Sequence, residues 1–336
     1  MQILTESEYA RFASHLWWNQ VAKVRPMTGK RDIIMWLLST AMIKDQGDGG
    51  NIRFDDLVSK STEIENFYAG TGLKLNRAKL EDTDGGGMDL AAQWSTDIGA
   101  YMGYWPQKQV VHALKNGHTA ALYTGYDGKA FFATDHPHNP FRANSGTYAN
   151  LLTGSPVSGS GNTPYYPGAV PIDDSQDTDD ALANLGALFS YIASIRMPNG
   201  EDPRFLRPRL LLVPPRMFPR AVQLTSAKFL AQVAGSGAGS GDVEALIKAL
   251  GFATPTMVDE LAGFESDTTF YVACEQVSSS QLGALVYGLR EPFRINYYGV
   301  QDQVQLDRMQ ELEWHCLGRN VCRPGHPYLL FKCKGS

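Results

Sequence analysis

Asp135-His136-Pro137-His138 is the stretch whose residue types come nearest to chemistry. Two histidines at i and i+2 beside a carboxylate are the donors a divalent cation takes, and a metal held there would activate water. Asp135, His136 and His138 are therefore the site of one reading of the chain, a cytosolic metal-dependent hydrolase. The pattern is thin. His15, His112, His118, His315 and His326 are scattered singly, and no H-E-x-x-H spacing exists. His136 precedes a proline and is biased to extended backbone, as in a structural turn. Nucleophile and phosphate motifs fail by inspection. Gly154–Gly159 and Ser158–Gly161 do not make G-x-S-x-G, and Gly29-Lys30-Arg31 lacks the upstream glycine of a phosphate loop. The 235–241 run holds no G-x-G-x-x-G. Glu81, Asp82 and Asp84 sit beside a glycine turn, where acids are ordinarily solvated. Cys274, Cys316, Cys322 and Cys333 match no zinc spacing and read as reduced, buried thiols. The six tryptophans would suit sugar or base stacking in a surface carbohydrate binder, a third reading. Four of them fall on helical stretches, where packing explains them. The expectation is a chain that is not an enzyme, with no catalytic, cofactor-binding or metal-binding residue.

The elements that would position such residues belong to a well-fed core. The chain has 336 residues, 43% hydrophobic and 19% charged, which excludes wholesale disorder. Its net charge of −5 weighs against a surface that embraces nucleic acid or anionic lipid throughout. The acidic opening carries no secretory signal, and no apolar run approaches the roughly 20 residues of a membrane helix.

Periodicity predicts an amphipathic helix over 6–24, then an apolar piece at 33–38 and a breaker cluster at 46–50. Residues 51–82 are sparse in apolar side chains and read as a long polar β-hairpin with little core of its own, an element that needs another surface to lie on. After Gly85-Gly86-Gly87 a long helix is expected over 89–115. Leu90, Trp94, Ile98, Tyr101 and Trp105 form its stripe, Pro106 kinks it and Gly117 stops it. Short β pieces succeed it around Tyr126–Lys129. From Thr153 to Pro171, eleven of nineteen residues are Gly, Ser or Pro, a long functional or mobile loop. Asp177 caps a helix whose face is Leu182, Leu185, Phe189 and Ile192, and 209–213 reads as a buried strand. A helix to about 232, a flexible link at 235–241, a helix at 242–250 and strands at 254–260, 268–274, 283–290 and 292–298 complete the pattern, with more strand over 304–333. The class is α+β.

Tyr126-Asp127-Gly128-Lys129-Ala130-Phe131-Phe132-Ala133-Thr134-Asp135-His136-Pro137 resembles the YDG-x-x-FF-x-T-x-HP segment of the major head (capsid) subunit of Mu-like phages and prophages. Ile64–Phe67 and Leu80-Glu81-Asp82 are similar to that family's extended-loop entry and exit, and Val111–Gly117 to its v-x-x-L-x-x-G element. Trp36-Leu37, the run from Ala91-Ala92 to Trp105-Pro106 and the ending Leu312–Pro324 resemble it in pattern. The resemblance implies the tailed-phage major capsid fold. Its parts would be an N-terminal arm (1–50), an extended β-hairpin loop (51–87), a peripheral domain with a long spine helix (88–180), an axial domain (181–290) and peripheral return strands (291–336). It also implies a structural protein that self-assembles as hexamers and pentamers into an icosahedral phage head enclosing double-stranded DNA. Its partners would be itself, scaffold, portal and decoration proteins, and packaged DNA touched non-specifically at the inner face. No membrane and no cofactor are implied. The location is the virion, assembled in the host bacterial cytoplasm. Elements that cannot bury themselves suit a subunit whose contacts lie on many sides.

Overall fold

The computed structural model describes residues 2–37, 59–76, 86–142, 145–161, 163–200, 202–225, 255–276, 283–298 and 311–335. In chain order the helices are α1 (Gln2–Ala13), α2 (Gly86–Asn116), α3 (Thr178–Ser194) and α4 (Phe218–Thr225). The strands are β1 (Ala22–Pro26), β2 (Arg31–Leu37), β3 (Ser59–Glu65), β4 (Phe67–Asn76), β5 (His136–Pro137), β6 (Thr147–Tyr148), β7 (Leu151–Leu152), β8 (Leu206–Val213), β9 (Pro255–Met257), β10 (Thr269–Gln276), β11 (Leu285–Tyr298), β12 (Glu311–Pro324) and β13 (Leu330–Lys334). Two compact units share them. The first is Met1–Ile33, Glu63–Val110 and Val286–Arg323; the second is Ile34–Thr62, Val111–Leu285 and Pro324–Ser336.

The first unit is built on a sheet ordered β1-β11-β12-β4. The helix expected over 6–24 ends at Ala13, and Ala22–Pro26 is strand instead. Val21 and Val24 favour extended backbone, and Pro26, which has no N–H to give, is tolerated because β1 lies at the sheet's edge. On α2 the buried face is not the aromatic stripe. Ala91, Ser95, Ile98 and Met102 are buried, whereas Leu90 and Tyr101 are 63% and 42% exposed. Small residues let the helix approach closely, and the aromatics flank the seam. Ile98, Met102 and Cys316 form a cluster covered by Trp94, Phe293 and Ile295. The helix runs on through Pro106 without a break, at the loss of one backbone hydrogen bond. Asn320 Oδ1 accepts from Trp105 Nε1 at 2.8 Å and Gln109 Nε2 at 2.7 Å, fixing the helix to β12.

The hairpin read over 51–82 is drawn differently. Its two strands exist, but β3 pairs with β2, and β4 pairs with β12 from Phe67↔Asn320 to Asn76↔Glu311. Only Asn66 separates β3 from β4, and one residue cannot reverse a chain. Asn66 instead anchors the junction, its Nδ2 donating to Gly29 O at 2.8 Å and Lys30 O at 2.9 Å.

The second unit holds a sheet ordered β7-β13-β10-β8-β9. β10 is central, antiparallel to β13 (Val272↔Phe331) and to β8 (Val272↔Leu211); β8–β9 and β13–β7 are parallel. Leu211, Leu212 and Val213 are buried, as the charge-free run predicts. Leu185, Leu188, Phe189 and Ile192 of α3 are buried with them. Residues 330–334 return the chain into this sheet as β13. Their side chains at 330, 331 and 333 are fully buried, and the strand is the neighbour of β10. The Gly/Ser/Pro loop is tied down: Val157 and Tyr166 exchange backbone hydrogen bonds, and Tyr166 Oη accepts from Thr153 N–H at 2.7 Å. The link 234–241 and the helix expected at 242–250 lie outside the described residues.

Candidate functional site

The histidine turn lies in the second unit and is assembled by a short local code. Asp127-Gly128 turns the chain: Asp127 Oδ1 accepts from Lys129 N–H at 3.1 Å, and Gly128 takes φ +80°, which costs a residue without Cβ little. Gly125 N–H to Lys129 O at 2.8 Å and a bridge between Thr124 and Ala130 close the loop. Phe131 and Phe132 are then buried side by side, ring centroids 4.9 Å apart.

Strand alternation aims the side chains from 135 to 138. Asp135 points outward and pairs with Lys129, while His136 and His138 point inward and are fully buried. The three residues that would have formed a metal site are thus not brought together. The two rings face Tyr148, at 5.4 and 5.3 Å between centroids, rather than a shared cation. His138 Nδ1 is 3.2 Å from Arg196 O. Among the described residues, no group of three or more His, Cys, Asp or Glu is arranged to hold a metal ion.

The carboxylate that does meet His136 is Asp127, Oδ2 to Nδ1 at 2.5 Å. Burial raises the Asp127 carboxyl, but the hydrogen bond and charge of His136 and the Lys129 N–H outweigh it and hold the group below its ordinary range. His136 Nε2 lies 3.0 Å from Asn150 Oδ1 and 3.2 Å from Phe131 O. Asn150 is the hub. Its Oδ1 accepts from Ala133 N–H, and its Nδ2 donates to Phe131 O, Pro327 O and Leu330 O at 2.7, 3.0 and 3.3 Å. It thereby joins the turn to the chain's C-terminal strand. Beyond Tyr148 lies buried Arg204, its guanidinium 3.8 Å over the Tyr328 ring and its Nε on Arg196 O at 2.7 Å. Burial and this positive charge push His326 down to about 3, so that ring is neutral. Spacing alone singles out none of Asp127, Tyr148, Asn150 and Arg204. The Asp-Gly turn nine residues before His136 is the signal that would have found the first of them.

Burial raises the thiols of Cys316 to about 11 and Cys322 to about 12, and lifts Cys274 and Cys333 as well, which disfavours the thiolate. What the chain offers outwardly is apolar surface. Ile33 and Met35 on β2 are 61% and 71% exposed, on the face opposite buried Ile34. In the first unit a groove of about 500 Å³ runs between Trp94, Tyr101 and Trp105 of α2 and Gly70, Thr71 and Phe293.

A long helix on a four-stranded sheet, a five-stranded sheet and a two-stranded ribbon are the elements of the tailed-phage capsid fold. Solved structures of that fold align along most of the chain. The capsid of cyanophage P-SCSP1u matches at 10% identity, covering 94% of this chain and 86% of that one, TM-score 0.53. The capsid of Myoviridae phage XM1 matches at 10% identity over 92% and 86%, TM-score 0.52. A bacteriophage JBD30 capsid chain aligns at 13% identity over 94% of this chain, TM-score 0.49, and this chain spans 64% of its length. Residues 5–167 match the family described as Mu-like prophage major head subunit gpT, so the resemblance carried by Tyr126–Pro137 is shown. Among curated proteins no sequence relative matches. The matched family consists of structural capsid proteins, not enzymes, and supports a major capsid role in a phage head, which lies in the virion. No helix among the described residues is long and apolar enough to cross a membrane.

Proposed function

We propose that this chain forms hexamers and pentamers that close into an icosahedral head around double-stranded DNA. The observation that carries the reading is the Mu-like head-subunit match over 5–167. The exposed apolar surface of the ribbon and of the α2 groove supports it, because a subunit that works alone would bury that surface. In this reading the first unit is the peripheral part and the second the axial part. The extended loop has β2 and β3 as its arms. Scaffold, portal and decoration proteins and the inner-face DNA are partners of the assembled shell, and no residue has a catalytic, cofactor or metal role. Negative-stain microscopy of the expressed protein is the test. Shells, rings or sheets are expected; a discrete monomer or dimer at every concentration overturns the assignment.

A further inference from the structure

His136 is fully buried, and both of its ring nitrogens face hydrogen-bond acceptors. Nδ1 meets the Asp127 carboxylate at 2.5 Å. Nε2 meets Asn150 Oδ1 at 3.0 Å and Phe131 O at 3.2 Å. The amide cannot be turned to help. Its nitrogen is held by three carbonyls, Phe131 O, Pro327 O and Leu330 O, and its oxygen by Ala133 N–H. Reversing it would set an oxygen against three oxygens and an NH₂ against an N–H. Asp127 is ionised, its carboxyl held below the ordinary range, so it can only accept, and a neutral ring has one donor; either tautomer would leave a lone pair buried against another acceptor, an arrangement native cores avoid.

We infer that His136 is an imidazolium donating from both nitrogens, with Asp127 as its buried counter-ion, and that its proton is the clasp that holds the 124–137 turn to Asn150 and the C-terminal strand. Other groups face the pair. Tyr148 stacks on the ring with His138 against the same tyrosine. Tyr126, Tyr328 and the Arg204 guanidinium act on Tyr148 from beyond, Arg204 as a like charge that opposes the imidazolium. On the outer side Lys129 gives its backbone N–H to Asp127 and its amine to Asp135. Burial keeps both tyrosines, Tyr126 and Tyr148, protonated and neutral, and His326 is neutral. Of the charges facing the ring, Asp127 is the one in direct contact, and it favours the proton.

Loss of the proton removes the Nε2 donor and turns that corner of the hub from attraction to repulsion. Asn150 must then give up either Ala133 or the carbonyls of 327–330. The clasp is closed with the proton in place and opens when it is lost. A head subunit with such a hub would couple the order of this turn to ring protonation.

The test is ¹⁵N-histidine NMR of the full chain at pH 7.5, where an ordinary histidine, with a pKa of about 6.5, is mostly neutral. His315 lies 2.9 Å from Glu313, so the measurement is made in His315→Gln, which keeps a side-chain donor at this partly exposed site. One ring with both nitrogens present as N–H is expected there, and Asp127→Asn should abolish it. If every remaining ring in His315→Gln is a neutral tautomer at pH 7.5, the inference is wrong, whether or not Asp127→Asn folds. Because neither outcome depends on shells forming, this result and the capsid reading stand or fall separately.

Discussion

A second buried cation makes the residue-scale chemistry explicit. The Lys332 side chain is wholly buried, its Nζ 2.7 Å from Glu265 Oε1 and 5.1 Å from the Phe264 ring centroid. Glu265 has more support: Thr269 Oγ1 donates to Oε2 at 2.6 Å and Lys334 Nζ lies 3.5 Å away. The partners are therefore unequal, and so are the expected costs. Glu265→Gln strands a buried ammonium and should cost about 3 kcal/mol in chemical unfolding, within the range for breaking buried pairs. Lys332→Met removes the buried charge and leaves a partly exposed carboxylate that keeps Thr269 and Lys334, so it should cost clearly less. The reverse order would show that the amine, not the carboxylate, is the better-solvated partner. The same pair sets an acid limit. Burial raises the Glu265 carboxyl, but the bonds from Lys332 and Thr269 and the charges of both lysines hold it below its ordinary range. A folded value below the unfolded one means stability that is full above the unfolded value, about 4.3, and lost as pH falls through the folded one. The unfolding midpoint should drop on acidification from about pH 5, and Glu265→Gln should flatten that drop. Of these contacts the sequence discloses little. The histidine turn was legible as a turn, because Asp127-Gly128 and His136-Pro137 write their conformations locally. Asn150 was not, since its partners at 327 and 330 are remote in sequence and an asparagine in a polar loop carries no mark of burial.

Elements were legible where a local period or breaker decides them, and failed where the partner decides. The strand read at 209–213 comes from the apolar run 210–213 ahead of Pro214, and α3 from its apolar face. For α2 the length was legible but not the face. Trp94, Tyr101 and Trp105 outweigh Ala91 and Ser95 in any hydrophobic period, yet the small residues are the buried ones because backbone proximity is won by small side chains. This gives a test by burial: Ile98→Ala should cost about 2–4 kcal/mol and Tyr101→Ala under about 1, by chemical denaturation. Equal losses would put Tyr101 inside. The pairing of β3 with β2 was likewise invisible, as polar alternation specifies register weakly. Composition alone makes the Gly/Ser/Pro loop look mobile, but its tightest point is Gly168. There φ is +77°, and a Cβ would lie 2.6 Å from Gly154 O and 2.7 Å from Pro156 N. Gly168→Ala should therefore destabilise by more than the roughly 1 kcal/mol of the left-handed conformation alone. Amide hydrogen exchange should show lost protection at Ala169, whose N–H donates to Gly154 O at 2.8 Å. Unchanged protection would mean that the loop is held from elsewhere.

At the scale of the molecule the question is which parts serve the fold and which serve other copies. The β4 strand serves the fold, for it runs in register with β12 over ten residue pairs. Removing 55–78 would therefore strip an integral strand and test folding rather than assembly. The ribbon is different. β2 and β3 form a sheet of two strands, which in water is marginal by itself. Its base is secured by Lys30–Glu65 at 2.7 Å and Arg31–Glu63 at 3.2 Å, pairs exposed enough to contribute little. Ile33 and Met35 face outward, a stripe that gains only by being covered. If the chain builds a shell, the cover is a second copy. Ile33→Ser with Met35→Ser separates fold from assembly. The variant should unfold within about 1 kcal/mol of the parent, because both side chains are exposed. In negative stain it should give isolated subunits or small rings where the parent gives shells. Normal shells from the variant would take the ribbon out of the assembly contact. Loss of folding would instead place Ile33 and Met35 in the subunit's own core.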